Sequence, residues 1–435
     1  MSPELVGLLG IPVLILLLLL KIPVGISLLL VGTIGYALIR NIDSALKVLG
    51  TSTFNVVSSY SLSVIPLFIF MGMILTYCGF GSDLYRAFDR WMGRIKGGLA
   101  IATIGTSAIF GAISGSVNAT TATLAKVTLP EMNKYRYDPG FSTATVAAGG
   151  TLGLLIPPSV LLILYGILTQ ESVGALLIAG IIPGIIQMVI FIIVIYVLVS
   201  RNPSLAPPRN EVIPFSEKLR SLDSIWPFLV LFLLSIGGIY LGVFTPTEAA
   251  GIGAFGATVI ALLSKRLNFR LFMASIDETL RLTAMIFLIL MGAEIFSQFL
   301  TISRIPFEVV NYLEGLNLPA PVILLFILFA LFVLGCFIEG LSIMVITLPI
   351  LYPLIIEMGY NGIWFGVIMV LMNNIGLLTP PVGVSVFVIK GVAKDVPIQT
   401  IFKGVLPMLF AIIVCTVILI LWPDLVTYLP SLMVK

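Results

Sequence analysis

Residues 149–159 read GGTLGLLIPPS, and residues 373–383 read NNIGLLTPPVG. Each places glycine and a Pro-Pro pair near the middle of a stretch otherwise apolar enough to cross a bilayer. Proline beyond the first turn of a helix removes an amide donor and collides with an earlier carbonyl, so Pro157-Pro158 and Pro380-Pro381 should interrupt their helices. Gly149, Gly150, Gly153 and Gly376 widen the breaks by admitting conformations that other residues avoid. The carbonyls freed there are costly in contact with lipid, so such a break is stable only inside protein or facing a wet or ionic cavity. A small hard cation such as Na⁺ would satisfy them, because it takes oxygen ligands and carbonyls supply these without a charged side chain. The plain alternative is a kink that helix packing needs.

The chain around these stretches has 435 residues, 59% of them hydrophobic and 10% charged, with mean hydropathy +1.18. That composition belongs to an integral membrane protein with no soluble domain of useful size. Apolar runs long enough to span the hydrocarbon core fall at 5–20, 22–39, 62–79, 140–168, 174–199, 225–243, 247–264, 282–300, 361–389 and 404–422. The opening MSPELVGLLGIPVLILLLLL lacks a basic leader and a small-residue cleavage site, and reads as a retained first span. Two longer apolar segments, 99–133 and 319–357, carry Gly-rich breaks in their middles and read as re-entrant hairpins. If each hairpin returns to its own side, 18 Lys and Arg collect on one face, and only Arg40, Lys47, Arg304 and Lys435 on the other. Lys126 is left inside the first hairpin. The basic face is then cytoplasmic, and both termini are extracytoplasmic.

Between the spans, segment 81–98 puts Leu84, Phe88, Trp91 and Ile95 on one helical stripe and Arg86, Arg90 and Arg94 on another. This is the pattern of a helix lying in the membrane interface, and 304–317 has a similar pattern on the opposite side. The polar stretch 201–224 reads as a linker between halves. The chain contains no histidine, which removes Ser/His and Cys/His nucleophilic sites and His-ligated metals. Cys78, Cys336 and Cys415 stand singly in apolar surroundings and read as packing residues.

Set side by side, the halves match. GLLIPPS (153–159) recurs as GLLTPPV (376–382), VTLPEM (127–132) as ITLPIL (346–351), and FMG (70–72) as LMG (290–292), in the same order and at nearly one offset. The expected fold is all-α and integral to the membrane, each repeat holding about five crossings and one re-entrant hairpin. Five is odd, so the second repeat is inverted and the hairpin tips approach one another near the midplane. Inverted repeats with discontinuous helices are the architecture of secondary transporters, whose sites lie at the repeat interface.

The first tip, GAISGSVNATTAT (111–123), concentrates Ser114, Ser116, Asn118 and Thr120 deep in the membrane, more polar groups than close helix packing requires. The second, GCFIEGLS (335–342), carries Glu339 between glycines. That carboxylate could ligate Na⁺, carry a proton, or hydrogen-bond the tip to its own backbone. Glu248, Glu294 and Lys126 are further buried-charge candidates, with helix-end snorkelling the competing reading for Lys126. Asn373-Asn374 offers side-chain oxygens before the second break, or interhelical hydrogen bonds.

At these residues the sequence resembles the large membrane subunit of TRAP transporters, the tripartite ATP-independent periplasmic transporters. GSVNATTATLAKVTLPEM, GGTLGLLIPPS, FIEGLSIMVITLPILYP and NNIGLLTPPVG carry the resemblance, which covers nearly the whole chain. It implies an elevator-type, Na⁺-driven carrier of organic acid anions such as C4-dicarboxylates or sialic acid, in the bacterial inner membrane. By position, one Na⁺ site would use Ser114 and Gly115 with Gly153, Ile156 and Pro158. The other would use Gly335, Gly376, Thr379 and Val382. Substrate would lie near Ser116, Asn118, Thr120, Glu339 and Asn374. Many relatives have Asp where this chain has Glu339. The resemblance divides the chain into scaffold helices with an interfacial arm (1–98), a first transport part (99–199), a linker (200–224), a second scaffold part (225–318) and a second transport part (319–435). It implies a four-helix small subunit as a separate chain and a periplasmic binding protein. No nucleic-acid partner and no cofactor besides the coupling ion are expected. The competing functions are a stand-alone Na⁺- or H⁺-coupled carboxylate symporter of the same architecture, an intramembrane enzyme using Ser116 or Glu339, and a channel.

Overall fold

The computed structural model describes residues 2–93, 95–208, 214–315 and 318–433, which are helical throughout with no strand among them. Arg94, Arg209 and Lys435, which entered the charge count above, lie outside the described residues, as do 210–213 of the linker and 316–317 of the second interfacial segment.

Both re-entrant segments are helical hairpins. Hairpin 1 pairs Gly98–Ser114 with Val117–Lys134, and hairpin 2 pairs Ala320–Gly335 with Gly340–Glu357. The first reverses at Gly115, whose φ of 59° is left-handed and suits glycine. Behind each follows a broken helix. Pro139–Thr151 tightens into a 3₁₀ turn at Leu152–Leu154 and resumes as Val160–Thr169, and Gly362–Leu378 resumes as Val384–Val392. The interruptions fall on the Pro-Pro pairs, where no amide is available to continue the ladder. Both Pro-Pro peptides are cis.

The repeat extends to nearly every element. Gly153 and Gly376 are 223 positions apart, and the same shift carries Val24–Ile39 onto Pro246–Leu263, Phe80–Met92 onto Ile305–Gly315, and each hairpin arm and broken helix onto its counterpart. Seven continuous helices among the described residues are long and apolar enough to cross a membrane, one of them an arm of hairpin 2. Pro3–Leu19, Val24–Ile39 and the two broken helices supply the other expected crossings.

Three elements differ from the sequence reading. Ile42–Ser58 is a separate helix, capped by the Asn41 side chain, which accepts from the Ser44 amide at 2.8 Å. In the second half its counterpart is fused to the next span as one 34-residue helix, Phe269–Ile302, longer than the expected crossing at 282–300. The first copy is interrupted by the Ser-rich SSYSLS (58–63), whereas the stretch one repeat length on, RLTAMI (281–286), holds no Gly, Pro or Ser. The helix expected to lie in the interface turns its apolar stripe into the protein. Leu84 is buried and Phe88 packs against Gly105 on hairpin 1, while the Trp91 indole donates to the Lys218 carbonyl at 3.1 Å.

The molecule packs as two groups of helices. Val24–Ile39, Tyr60–Tyr77, Pro246–Leu263 and Phe269–Ile302 pack on one another through small residues, since a methyl at Gly32 would stand 2.9 Å from the Phe296 amide nitrogen. The hairpins, broken helices, Ile181–Arg201 and Ile398–Leu421 form the other group.

Candidate functional site

The first arm of each hairpin lies directly against the break that follows it. A Cβ at Gly153 would lie 2.8 Å from the Gly111 Cα, and one at Gly335 would lie 3.2 Å from the Gly376 Cα. These two glycine pairs are repeat mates, and only residues without a side chain allow so close an approach. The chain then turns with several carbonyls unused. No amide among the described residues donates to the carbonyls of Ile156 or Pro158, and the same holds for Pro381 and Val382.

Around the first break the tip of hairpin 1 adds oxygens. Ser114 Oγ lies 2.6 Å from Thr120 Oγ1 and donates to the Ser116 and Gly111 carbonyls at 3.4 Å. Gly115 packs above the Pro158 carbonyl, with a virtual Cβ 3.4 Å from its oxygen. Ser114, Gly115, Gly153 and Pro158 are thus neighbours, and the Ile156 side chain lies behind them against Gly184. Around the second break Gly335 touches Gly376, whose carbonyl accepts from the Thr379 amide at 3.1 Å. The Thr379 hydroxyl donates to the Ile375 carbonyl at 2.7 Å and keeps its lone pairs for a cation, and Val382 stands three residues on, in the half-exposed loop. The donor sets are hard oxygens, mostly carbonyl, which fit Na⁺.

Both tips open on one cavity of about 500 Å³. Ser116, Asn118, Glu339 and Asn373 stand on its wall, opposite Ile69, Met73 and Leu282 of the other helix group. Glu339 occupies the N-cap position of Gly340–Glu357, but its side chain makes no capping bond, so the carboxylate does not hold the tip to its own backbone. Two residues expected at the substrate lie off this cavity. Thr120 is fully buried beneath the tip, bonded to Ser114. Asn374 is likewise fully buried with both amide atoms unpartnered, and its neighbour Asn373 takes the cavity position, because successive residues on a helix point about 100° apart. Glu248 is no buried charge: it closes an exposed capping box with Thr245. Glu294 is exposed and accepts from Gln298 at 3.2 Å.

Lys126, a buried-charge candidate in the sequence, is exposed and lines the cavity from the middle of its helix. Sequence reasoning missed another part of the wall. Glu278 lines it too, with Leu282, Met285 and Ile286 at helical spacing, a face that periodicity in 269–302 alone could have singled out. Lys126, Tyr77 and Glu278 all lie toward the end of the bundle that carries the basic loops. A further hollow of about 470 Å³, lined by Asn55, Glu294, Ser297, Thr301 and Tyr352, lies toward the other end.

A helical bundle of paired inverted units, whose re-entrant tips and broken helices close on one polar cavity, is a membrane transport protein. Residues 11–425 match the family described as "Tripartite ATP-independent periplasmic transporter, DctM component", and the chain belongs to that family. It is 34% identical over 389 residues to the C4-dicarboxylate TRAP transporter large permease protein DctM of Pseudomonas aeruginosa, covering 89% of this chain and 88% of that one. It is 33% identical to the isethionate TRAP transporter permease protein DctMQ of Oleidesulfovibrio alaskensis over 94% of this chain, and spans 63% of that longer protein. Among solved structures, the Alcanivorax borkumensis YdaH transporter shares the fold, with TM-score 0.63 and 15% identity over 88% of this chain and 89% of that one. The chain is accordingly a large permease subunit, a multi-pass inner-membrane protein and not an enzyme.

Proposed function

We propose that this permease takes up an organic carboxylate by Na⁺ symport, moving it between the hairpin tips in an elevator cycle. The observation that carries the reading is the shared cavity: both tips and both broken helices meet there, each break backed by a glycine pair and offering unused carbonyls. Na⁺ at Ser114, Gly115, Gly153, Ile156 and Pro158, and at Gly335, Gly376, Thr379 and Val382, draws the tips onto the breaks. Substrate binds between them at Ser116, Asn118, Asn373 and Glu339.

Hairpins and broken helices form the moving unit, and 1–98 with 225–318 the scaffold. The two hollows face helix Phe269–Ile302 around Leu282 and around Ser297, roughly 20 Å apart at 1.5 Å per residue, which sets the distance the tips would travel between them. With the basic loops cytoplasmic and both termini periplasmic, the larger hollow opens inward and the described state is the release state. The electrical balance favours this coupling. Each charge crossing 100 mV is worth about 2.3 kcal/mol, so two Na⁺ entering with a monocarboxylate leave about 2.3 kcal/mol, and with a dicarboxylate the step is electroneutral. A separate small subunit and a periplasmic binding protein complete the machine.

Reconstitution tests this. Proteoliposomes holding both membrane subunits should accumulate the binding protein's ligand only under an inward Na⁺ gradient and only when the loaded binding protein is outside. Accumulation without the binding protein would reject the tripartite reading, and accumulation without Na⁺ would reject the coupling.

A further inference from the structure

Beside the transport cavity lies another, of about 570 Å³, which the proposed cycle does not use. It sits between the second arm of hairpin 1, the start of Pro139–Thr151 and the chain that follows Val384–Val392, lined by Leu129, Asn133, Ser142, Val396 and Pro397 among others. Lys126 lines both cavities. Its ammonium makes no ion pair among the described residues. Ser142 is 5% exposed, and its Oγ is buried without a hydrogen-bond partner. Buried hydroxyls are normally paired, so an orphan on a cavity wall marks a place for a ligand or water.

The inverted repeat carries a related hollow in the second half, since Leu348, Pro349, Tyr352 and Pro353 on the 470 Å³ cavity are the mates of Ala125, Lys126, Leu129 and Pro130 here, but it closes one side of it. At the corresponding place in the second half, Tyr352 Oη donates to Glu171 Oε1 at 2.7 Å, and Tyr165 Oη donates to the Gly362 carbonyl at 2.7 Å. The two tyrosine rings meet edge-on with centroids 6.2 Å apart and pack over Gly362 and Gly366, closing the side that corresponds to Pro139 and Thr143. One repeat length away, Leu129 stands for Tyr352, Lys394 for Glu171 and Val388 for Tyr165. The side chains that would close that side are missing, and the loop beyond is tied to Lys390. Lys390 Nζ donates to the carbonyls of Lys394 at 2.6 Å and Val396 at 2.9 Å.

We propose that this cavity is a second site for the transported carboxylate, on the release side. The inference rests on the carboxylate reading above. After leaving the tips, the anion is received by the Lys126 ammonium and the Ser142 hydroxyl, without Na⁺, because the oxygen-rich breaks do not reach this wall. Asp395 is the carboxylate on the wall. Like Lys126 it is exposed, so water screens both charges, and the wall suits a ligand with a carboxylate at one end and hydroxyl or amino groups at the other. Since one lysine serves both cavities, internal substrate bound here draws Lys126 away from the transport cavity and slows further uptake.

Calorimetric titration of the purified permease in nanodiscs with succinate, N-acetylneuraminate and gluconate, each with and without Na⁺, tests the site. At least one should bind in two components, one Na⁺-dependent and one not. Ser142→Trp fills the cavity, and Leu129→Tyr combined with Lys394→Glu rebuilds the closure of the other half. Each should weaken the Na⁺-independent component at least tenfold and leave the Na⁺-dependent one in place. Absence of a Na⁺-independent component for all three acids, or its survival in both closing variants, overturns the proposal. Loss of only the Na⁺-dependent component in the wild type would refute the coupling reading of the tips while supporting the second site.

Discussion

A methyl group added at Gly153 would stand 2.8 Å from the Gly111 Cα, and both positions are backbone, with no flexible side chain to yield. Overpacking of this kind costs about 1–3 kcal/mol, so Gly153→Ala should lower the melting temperature of the purified permease by several degrees and suppress uptake. Gly251 is the control: nothing lies within 4 Å of its virtual Cβ, and Gly251→Ala in the same assay should be neutral or slightly stabilising. Equal effects at the two positions would show that the glycine pair does not clamp the break. Thr379 tests the ion reading at the same scale. Its hydroxyl donates to the Ile375 carbonyl and offers its lone pairs to the loop. Thr379→Ala should raise the half-saturating Na⁺ concentration for uptake by about tenfold, the worth of roughly 1.4 kcal/mol at one ligand. Pro157→Ala should raise it as well, and unchanged Na⁺ activation in both would return the motif to a packing kink.

Among the elements, the interfacial helix Phe80–Met92 shows what sequence patterning conveys and what it leaves out. Its apolar and basic stripes were legible, but whether the apolar stripe meets lipid or protein is decided by the neighbour, and here hairpin 1 takes it. The end of the same stripe is tied to the linker by the Trp91 indole and by an edge-on contact of Trp91 with Phe215, 6.5 Å between centroids. Trp91→Ala removes both, so hydrogen exchange should accelerate in Phe215–Ser221 while Gly98–Ser114 keeps its protection; equal exchange in the linker helix would mean that the contact does not order it. Hairpins and breaks were readable because Gly and Pro act on the backbone locally, wherever the helix lies. Cavity walls were less so. Thr120 and Asn374 are as polar as Ser116 and Asn373, and only helical phase and the identity of the packing helix separate the pair beneath the tips from the pair on the cavity wall. Glu278 escaped notice because the adjacent exposed Asp277–Arg281 pair, 3.0 Å apart, makes its segment look like a solvated face.

For the molecule as a whole, the inverted repeat supplies a frame in which departures carry meaning. The two halves match in hairpins, breaks and glycine pairs, yet differ where Phe269–Ile302 runs unbroken along both hollows. A continuous helix suits a rail better than a moving part, since its backbone hydrogen bonds are all satisfied and bending it at mid-membrane would free some of them. If the hairpin unit slides along this rail, tying it to the rail in the described state should stop transport. Thr123 on hairpin 1 and Leu282 on the rail both line the transport cavity. In a chain whose three native cysteines, all buried, are replaced, Thr123→Cys with Leu282→Cys should be bridged by a short thiol-reactive cross-linker. Na⁺-driven uptake should then fall more than tenfold, while each single variant treated in the same way keeps its activity. A reducible linker makes the block reversible, which separates immobilisation from damage. Full uptake by cross-linked protein would mean that substrate crosses without the hairpins leaving the rail, and the elevator reading would give way to local gating at the tips.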